Sequence, residues 1–373
     1  MDAVGIIFSN IHDSNMPELT AGRTTASIPF CGRYRLIDFA LSNMVNSGLT
    51  KVGVITKSNY QSLMDHIGSG KDWDLARRHG GLIILPPFGV QESTSLYNTR
   101  LEALKTVTGF LAKSTEEFVV LSDSDVVCTM DYTEVLQFHN NRQADITLVY
   151  YKTPAKNISG NNNIVLGLGE KGRLTDMAFD PKTEKDDEEV NMYANVCIIR
   201  RTLLQNLIAD AVAHGKKHFG ADILAANINR FKIYAWEHRG YFVRISSLQS
   251  YYEESINLLK KENRNSLFGS GGVYTKVKDS IPTTYGDGAK VNNSLIADGC
   301  CIEGEVYNSI IFRGVKVGKG TVVKNSILMQ DTLIGENALI NCIITDKNVV
   351  VKDRRMLSGC ANHPFFIYKN SVL

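Results

Sequence analysis

The 373-residue sequence has no excess of charge of either sign: 41 Lys and Arg stand against 39 Asp and Glu. No basic run dominates any segment, which argues against a nucleic-acid or membrane-surface binder. Paired cysteines are also missing. Cys31, Cys128, Cys197, Cys300, Cys301, Cys342 and Cys360 show no Cys-x-x-Cys spacing and are odd in number. They read as reduced thiols of a cytoplasmic protein, in neither a disulfide framework nor a zinc site. Long hydrophobic runs are lacking too. The apolar stretch after Met1-Asp2 is too short for a signal peptide or a membrane span, so it reads as a first buried strand.

What is present suffices for two domains with sizeable cores. Apolar runs recur at 3–9, 51–57, 81–87, 118–124 and 144–151, with helical patterns at 36–48, 58–67 and 98–113. This alternation predicts an α/β domain whose parallel or mixed sheet is covered on both faces. A ligand there lies beyond the carboxyl ends of the strands. The turn after the first strand and the loop Ser122-Asp123-Ser124-Asp125 fall at that edge. Strands at 190–200, 232–238 and 241–247 close the domain. Tyr251 to Asn263 reads as a connecting helix and Asn265 to Gly272 as a linker, giving units 1–248, 249–275 and 276–373.

Beyond residue 280 the period changes. Asn293-Ser-Leu-Ile296, Asn308-Ser-Ile-Ile311, Asn325-Ser-Ile-Leu328 and Asn341-Cys-Ile-Ile344 repeat one block. Aliphatics step by six, from Ile296 to Ile302, Ile311 to Val317 to Val323, Leu328 to Ile334 to Ile340, and Ile344 to Val350. Period six predicts a left-handed parallel β-helix, one short strand per face with the aliphatic inward. His363 is the only histidine after the linker and lies past the last regular coil, so a scaffold fits better than a histidine-dependent acyltransferase.

The stretch Ser27 to Asn43 places Arg33 and Arg35 beside a Pro-Phe-Cys-Gly turn at a helix start, with Ile37, Leu41 and Met44 on one face. Guanidiniums and free N–H groups there suit a phosphate; two solvated arginines are the plainer reading. Pro29-Phe-Cys-Gly-Arg-Tyr-Arg-Leu-Ile-Asp-Phe-Ala-Leu-Ser-Asn43 resembles the signature of bacterial glucose-1-phosphate adenylyltransferase (ADP-glucose pyrophosphorylase). The resemblance runs on through Val45-Asn46-Ser47-Gly48, the Val52–Thr56 strand and Ser69-Gly-Lys-Asp-Trp73, and covers nearly the whole chain. It is nearest to the GlgD-type regulatory, non-catalytic subunit. It implies a Rossmann-like, GT-A-like nucleotidyltransferase domain followed by the β-helix.

Such enzymes work by positioning and charge neutralisation, with a glycine-rich phosphate loop, phosphate-binding lysines and aspartates for Mg²⁺. The resemblance implies that most of these positions are erased. The loop falls on Asn10 to Met16, which has no glycine and carries Asp13 where a triphosphate would lie. A lysine position falls on Thr25, although Arg23 is kept; Thr99-Arg-Leu-Glu-Ala103 lacks its glycine, and so does the region of Asn195. The sugar-phosphate lysine falls on Asp180. Asp125 matches the first metal aspartate, but the second falls on Arg244, which is expected to pair with Asp125 in the metal's stead.

The resemblance therefore implies an inactive or nearly inactive subunit that needs no cofactor alone. It would assemble, as a tetramer, with a catalytic subunit that uses Mg²⁺. Arg23, Arg33 and Arg35 are candidate contacts for an anionic glycolytic effector, with structural ion pairs (Arg35 with Asp38, for one) as the plainer alternative. Two other readings stay open: an active sugar-phosphate nucleotidyltransferase with a remodelled site, and a sensor of a sugar phosphate or nucleotide.

Overall fold

The computed structural model describes residues 1–87, 97–158, 162–181, 188–269 and 272–373. Nine strands of the first domain form one mixed sheet: β1 (Ala3–Phe8), β2 (Lys51–Ile55), β3 (Gly81–Leu85), β4 (Phe118–Asp123), β5 (Ile146–Pro154), β6 (Ile164–Leu168), β7 (Leu174–Phe179), β8 (Glu189–Arg200) and β9 (Ile233–Glu237). The order is β3-β2-β1-β4-β8-β5-β9, and the β6–β7 hairpin pairs beside β8. β1, β2, β3 and β4 run parallel, whereas β8 is antiparallel to both β4 and β5. The parallel strands are apolar without alternation because cores cover both faces: Ile6 and Phe8 face one, Ile7 and Val54 the other.

Helix α1 (Leu36–Asn46) begins where Asp38 Oδ2 accepts from the backbone N–H of Arg35 (2.9 Å) in a capping box. It ends in a Schellman turn, with Gly48 at φ 82° and Leu49 N–H donating to the Met44 carbonyl. The predicted helix over 98–113 is instead two, Arg100–Lys105 and Thr108–Ala112. Thr106 breaks it by turning its hydroxyl back onto the Ala103 carbonyl (2.7 Å).

The connector also divides, into α2 (Leu248–Asn257) and α3 (Lys261–Phe268). Leu258 and Leu259 turn into the core between them, and the carbonyls freed there accept from side chains: Asn257 from Asn263, Leu258 from Arg264, both at 2.9 Å. Asn265 to Phe268, expected as linker, therefore belongs to α3; Ser270 and Gly271 lie outside the described residues.

The C-terminal domain is the left-handed β-helix, built as three five-stranded parallel sheets. Its inward column includes Ile302, Val317, Val323, Leu328, Ile334 and Ile340. The step from Ile344 to Val350 does not hold. Ile311, Leu328 and Thr345 share one register position, whereas Ile310, Ile327 and Ile344 point out and pack on the first domain. The doubled aliphatics arise because this sheet is buried on both faces. Corner residues Asn293, Asn308, Asn325 and Cys342 sit at φ 43° to 52°, where asparagine is the least strained ordinary side chain.

The first domain and the β-helix share one core. Phe30, Phe39 and Tyr251 pack there with Ile310, Ile327 and Met329. The Tyr251 hydroxyl donates to the Pro29 carbonyl (2.7 Å) and the Tyr252 hydroxyl to the Asn325 carbonyl (2.7 Å), so α2 is fastened to both domains.

Candidate functional site

The loop after β1 is closed by side chains instead of glycine. Ser9 Oγ donates to the Ile55 carbonyl (2.7 Å), and Asn10 accepts from the Tyr97 hydroxyl (3.1 Å). Asp13 Oδ1 accepts from both the N–H and the hydroxyl of Thr25, at 2.8 and 2.7 Å. Asp13, read from the sequence as a negative charge at the triphosphate position, is turned onto Thr25. Burial, only partly offset by these hydrogen bonds, pushes its carboxyl up to about 6.

At the carboxyl edge of the sheet, Asp123 ends β4 and Asp125 follows it, both fully buried. Arg100 opens its short helix with Nε donating to Asp123 Oδ1 (2.9 Å) and Nη2 to Oδ2. His12 Nε2 lies 2.7 Å from Asp123 Oδ2 and 3.7 Å from Asp125 Oδ2. Arg244 Nε donates to Asp125 Oδ2 at 2.9 Å, the pairing that the sequence suggests. Strand register places it there: Phe242–Arg244 runs antiparallel to Val126–Cys128, and Ile245 N–H donates to the Asp125 carbonyl (2.8 Å). Burial raises the Asp123 carboxyl, but Arg100 and His12 outweigh it and hold the group well below the carboxylate range.

Arg100, Asp123, His12, Asp125 and Arg244 thus form one buried chain in which each carboxylate has its own guanidinium. Donor atoms of His12, Asp123 and Asp125 lie within 4.8 Å of one another. The set nevertheless does not fit Mg²⁺, which seeks several uncompensated oxygens in octahedral array. Within this cluster, Asp125 Oδ1 is the one carboxylate oxygen without a hydrogen bond to the described residues. Arrayed in this way, the residues can lock the cleft's shape and its charge; they offer no open cation site.

The remaining positions scatter. Asp180 is exposed at φ 44° and ties the open end of the β6–β7 hairpin, its N–H bonding the Asn163 carbonyl (2.8 Å) and its Oδ1 the Asn163 N–H (2.7 Å). Asn195 sits at φ 59° in a bulge of β8, keeping a glycine-like backbone but adding a buried side chain. Beside Arg244 opens a cavity of about 440 Å³ lined by Tyr151, Thr153, Met192, Glu253 and Glu254. A larger cavity, about 870 Å³, lies elsewhere, around Asn43, Asp131 and Trp236.

At the domain junction, Arg23 is buried and bidentate on Asp346 (2.6 and 2.7 Å). It is a structural tie between domains, not an open effector contact. The suggested Arg35–Asp38 ion pair is likewise absent: the Arg35 guanidinium bonds Ser62 (Oγ, 3.0 Å), and Asp38 holds His66 Nε2 at 2.6 Å. Arg33 and Arg35 line a cavity of about 40 Å³ with Lys276, Lys278, Arg313 and Lys347. Sequence reading missed these partners, as it missed His12, Arg100 and Asp123. Their only signal was charge complementarity between segments 23 residues (Arg100 and Asp123) and 111 residues (His12 and Asp123) apart.

A family model described as nucleotidyl transferase matches residues 14–261, and a GlmU-like C-terminal hexapeptide model matches 280–359. The glycogen biosynthesis protein GlgD of Bacillus subtilis is 34% identical over 99% of this chain and 96% of its own length. Glucose-1-phosphate adenylyltransferases are 32% identical in Clostridium botulinum, over 87% of this chain and 84% of theirs, and 33% in Thermosipho africanus, over 87% and 78%. With fold and relatives in agreement, this chain belongs to the nucleotidyl transferase family, in its glycogen-biosynthesis group of glucose-1-phosphate adenylyltransferases and GlgD.

Proposed function

We propose that this chain is the non-catalytic, or weakly catalytic, partner of a glucose-1-phosphate adenylyltransferase, and that it adjusts the catalytic subunit's affinity or rate in the cytoplasm. One observation carries the reading. The guanidinium of Arg244 lies on Asp125 where the resemblance puts a second metal aspartate. A cation there repels Mg²⁺, so the charge neutralisation that phosphoryl chemistry needs must come from the partner's own site. The packing elements, by contrast, are kept whole. The outer β-helix face also carries exposed Leu339 and Met356 in adjacent coils, an apolar strip suited to subunit association within a hetero-tetramer. The cationic cavity at the junction favours an anionic, glycolytic effector, held by Arg33 and Arg35. Modulation then requires that this chain contact two states of its partner differently.

The test is pyrophosphate release from ATP and glucose 1-phosphate with Mg²⁺, by this chain alone, by the catalytic subunit alone and by the mixture. The expected result is no turnover alone and altered KM or kcat in the mixture. Turnover by this chain alone that disappears in Asp125→Asn would overturn the reading in favour of an active enzyme with a remodelled site. An unchanged mixture would leave the sensor.

A further inference from the structure

The junction cavity has an unusual charge content. Arg33 and Arg35 enter from the turn before α1, Lys276 and Lys278 from the segment after α3, and Arg313 and Lys347 from the β-helix. No carboxylate lines it among the described residues. Most of the cations already have partners. Arg313 Nε bonds Asp298 (3.0 Å), Arg35 bonds Ser62, Arg33 lies 5.7 Å from the Tyr34 ring centroid, and Lys276 bonds the Asp65 carbonyl. Behind the wall, Asp346 is used by Arg23 and by the backbone N–H of Lys347 (2.7 Å), and Asp38 by His66, which also faces the cavity.

We propose that the Lys347 ε-amine is a carbon dioxide acceptor, forming a carbamate whose carboxylate is held by the surrounding cations. The inference rests on the reading of this cavity as an anion site, and adds a covalent way of filling it. The amine lone pair attacks the carbon of CO₂, a C–N bond forms, one C–O π bond becomes the carboxylate lone pair, and the amine proton leaves to solvent. No oxidant or further reactant is needed. The site passes from an uncharged amine to an anion among five fixed cations, the reverse of placing a sixth cation there.

Two properties suit Lys347 to this chemistry. Only the unprotonated amine is nucleophilic, and burial, reinforced by Arg35, Arg23 and Lys278 against the single attraction of Asp346, brings its pKa down to about 7. A substantial fraction is therefore free amine at neutral pH. The space also matches: about 40 Å³ is the room of roughly three water molecules, enough for one carboxylate group.

The experiment uses the full chain with ¹³C-bicarbonate between pH 6.5 and 8.5, following the carbamate carbon by NMR. Trialkyloxonium trapping and peptide mass mapping locate the adduct. The expected result is an alkylated carbamate at Lys347 that grows with pH through 7 and falls at least tenfold in Lys347→Met, which is uncharged like the free amine, and in Lys347→Arg, which carries a charge but no nucleophilic amine. Circular dichroism of both variants excludes unfolding as the cause. Titration with inorganic phosphate runs alongside. Phosphate binding with no adduct at Lys347 overturns the carbamate but leaves the anion site standing. An adduct that maps to another amine, the α-amine for example, and not to Lys347 also overturns it. Absence of both phosphate and adduct overturns the anion site as well.

Discussion

At the scale of single residues, the site was legible where the family resemblance identifies a position. Arg244 could be set against Asp125 because the family resemblance puts the two metal aspartates at these positions, and strand register brings the pair to 2.9 Å. Arg100 and His12 were not legible as Asp123 partners, since nothing local distinguishes a paired side chain from a solvated one. Asp13 was read for its charge, yet its geometry decides its role. Because its folded pKa is about 6 against an ordinary 3.8, the folded state binds a proton more tightly than the unfolded one. The stability this supplies is complete below about pH 4 and lost as pH rises through 6. At pH 8 the buried carboxylate is a net cost of about 2–3 kcal/mol relative to its protonated form. Asp13→Asn keeps an acceptor for Thr25 without the charge. Urea unfolding is expected to show the variant more stable than wild type by up to about 2 kcal/mol at pH 8, with the gap closing towards pH 4. A gap that ignores pH would mean that Asp13 is not the titrating group.

Among elements, periodicity revealed most of the architecture. Continuous apolar runs marked the parallel strands, and the six-residue step marked the β-helix before any contact was known. Misses came where side chains act against local pattern. The helix broken at Thr106 and the connector broken at Leu258 both depend on hydroxyl, guanidinium or amide groups capturing carbonyls. The β6–β7 hairpin escaped notice because its strands are half-exposed and paired at the sheet's margin. The corner asparagines carry a testable consequence. Asn308 holds φ 48° and its Oδ1 accepts from Asn293 Nδ2 at 2.8 Å. Asn308→Ala must keep a left-handed backbone with an ordinary Cβ and loses the side-chain bond, so it should cost about 1–2 kcal/mol. Asn308→Gly relieves the strain and should cost less. Denaturant midpoints of the two variants decide it, and an alanine variant as stable as the glycine one would show that the corner is not strain-limited.

For the molecule as a whole, the two domains are joined by an apolar seam and by one buried charge pair that crosses it. Arg23 and Asp346 are 323 residues apart and nearly sealed from solvent, with side-chain exposures of 5% and 7%. Desolvating both charges offsets most of their attraction, so the pair adds little net stability while it is intact; removing one member strands the other. Arg23→Ala should therefore cost about 3–5 kcal/mol, because Asp346 is left buried with only the Lys347 N–H and the cations of the junction nearby. The apolar double variant Arg23→Met/Asp346→Leu should recover most of that loss, since no charge remains to be compensated. The loss falls on the seam, not on either core, so calorimetry of Arg23→Ala should resolve separate transitions for the sheet domain and the β-helix where the wild type shows one. If the single and double variants lose the same stability, packing of the arginine stem carries the junction. If the double variant recovers and the transition becomes one again, the stranded Asp346 charge is what uncouples the domains in Arg23→Ala, and the apolar packing of the seam is what couples them.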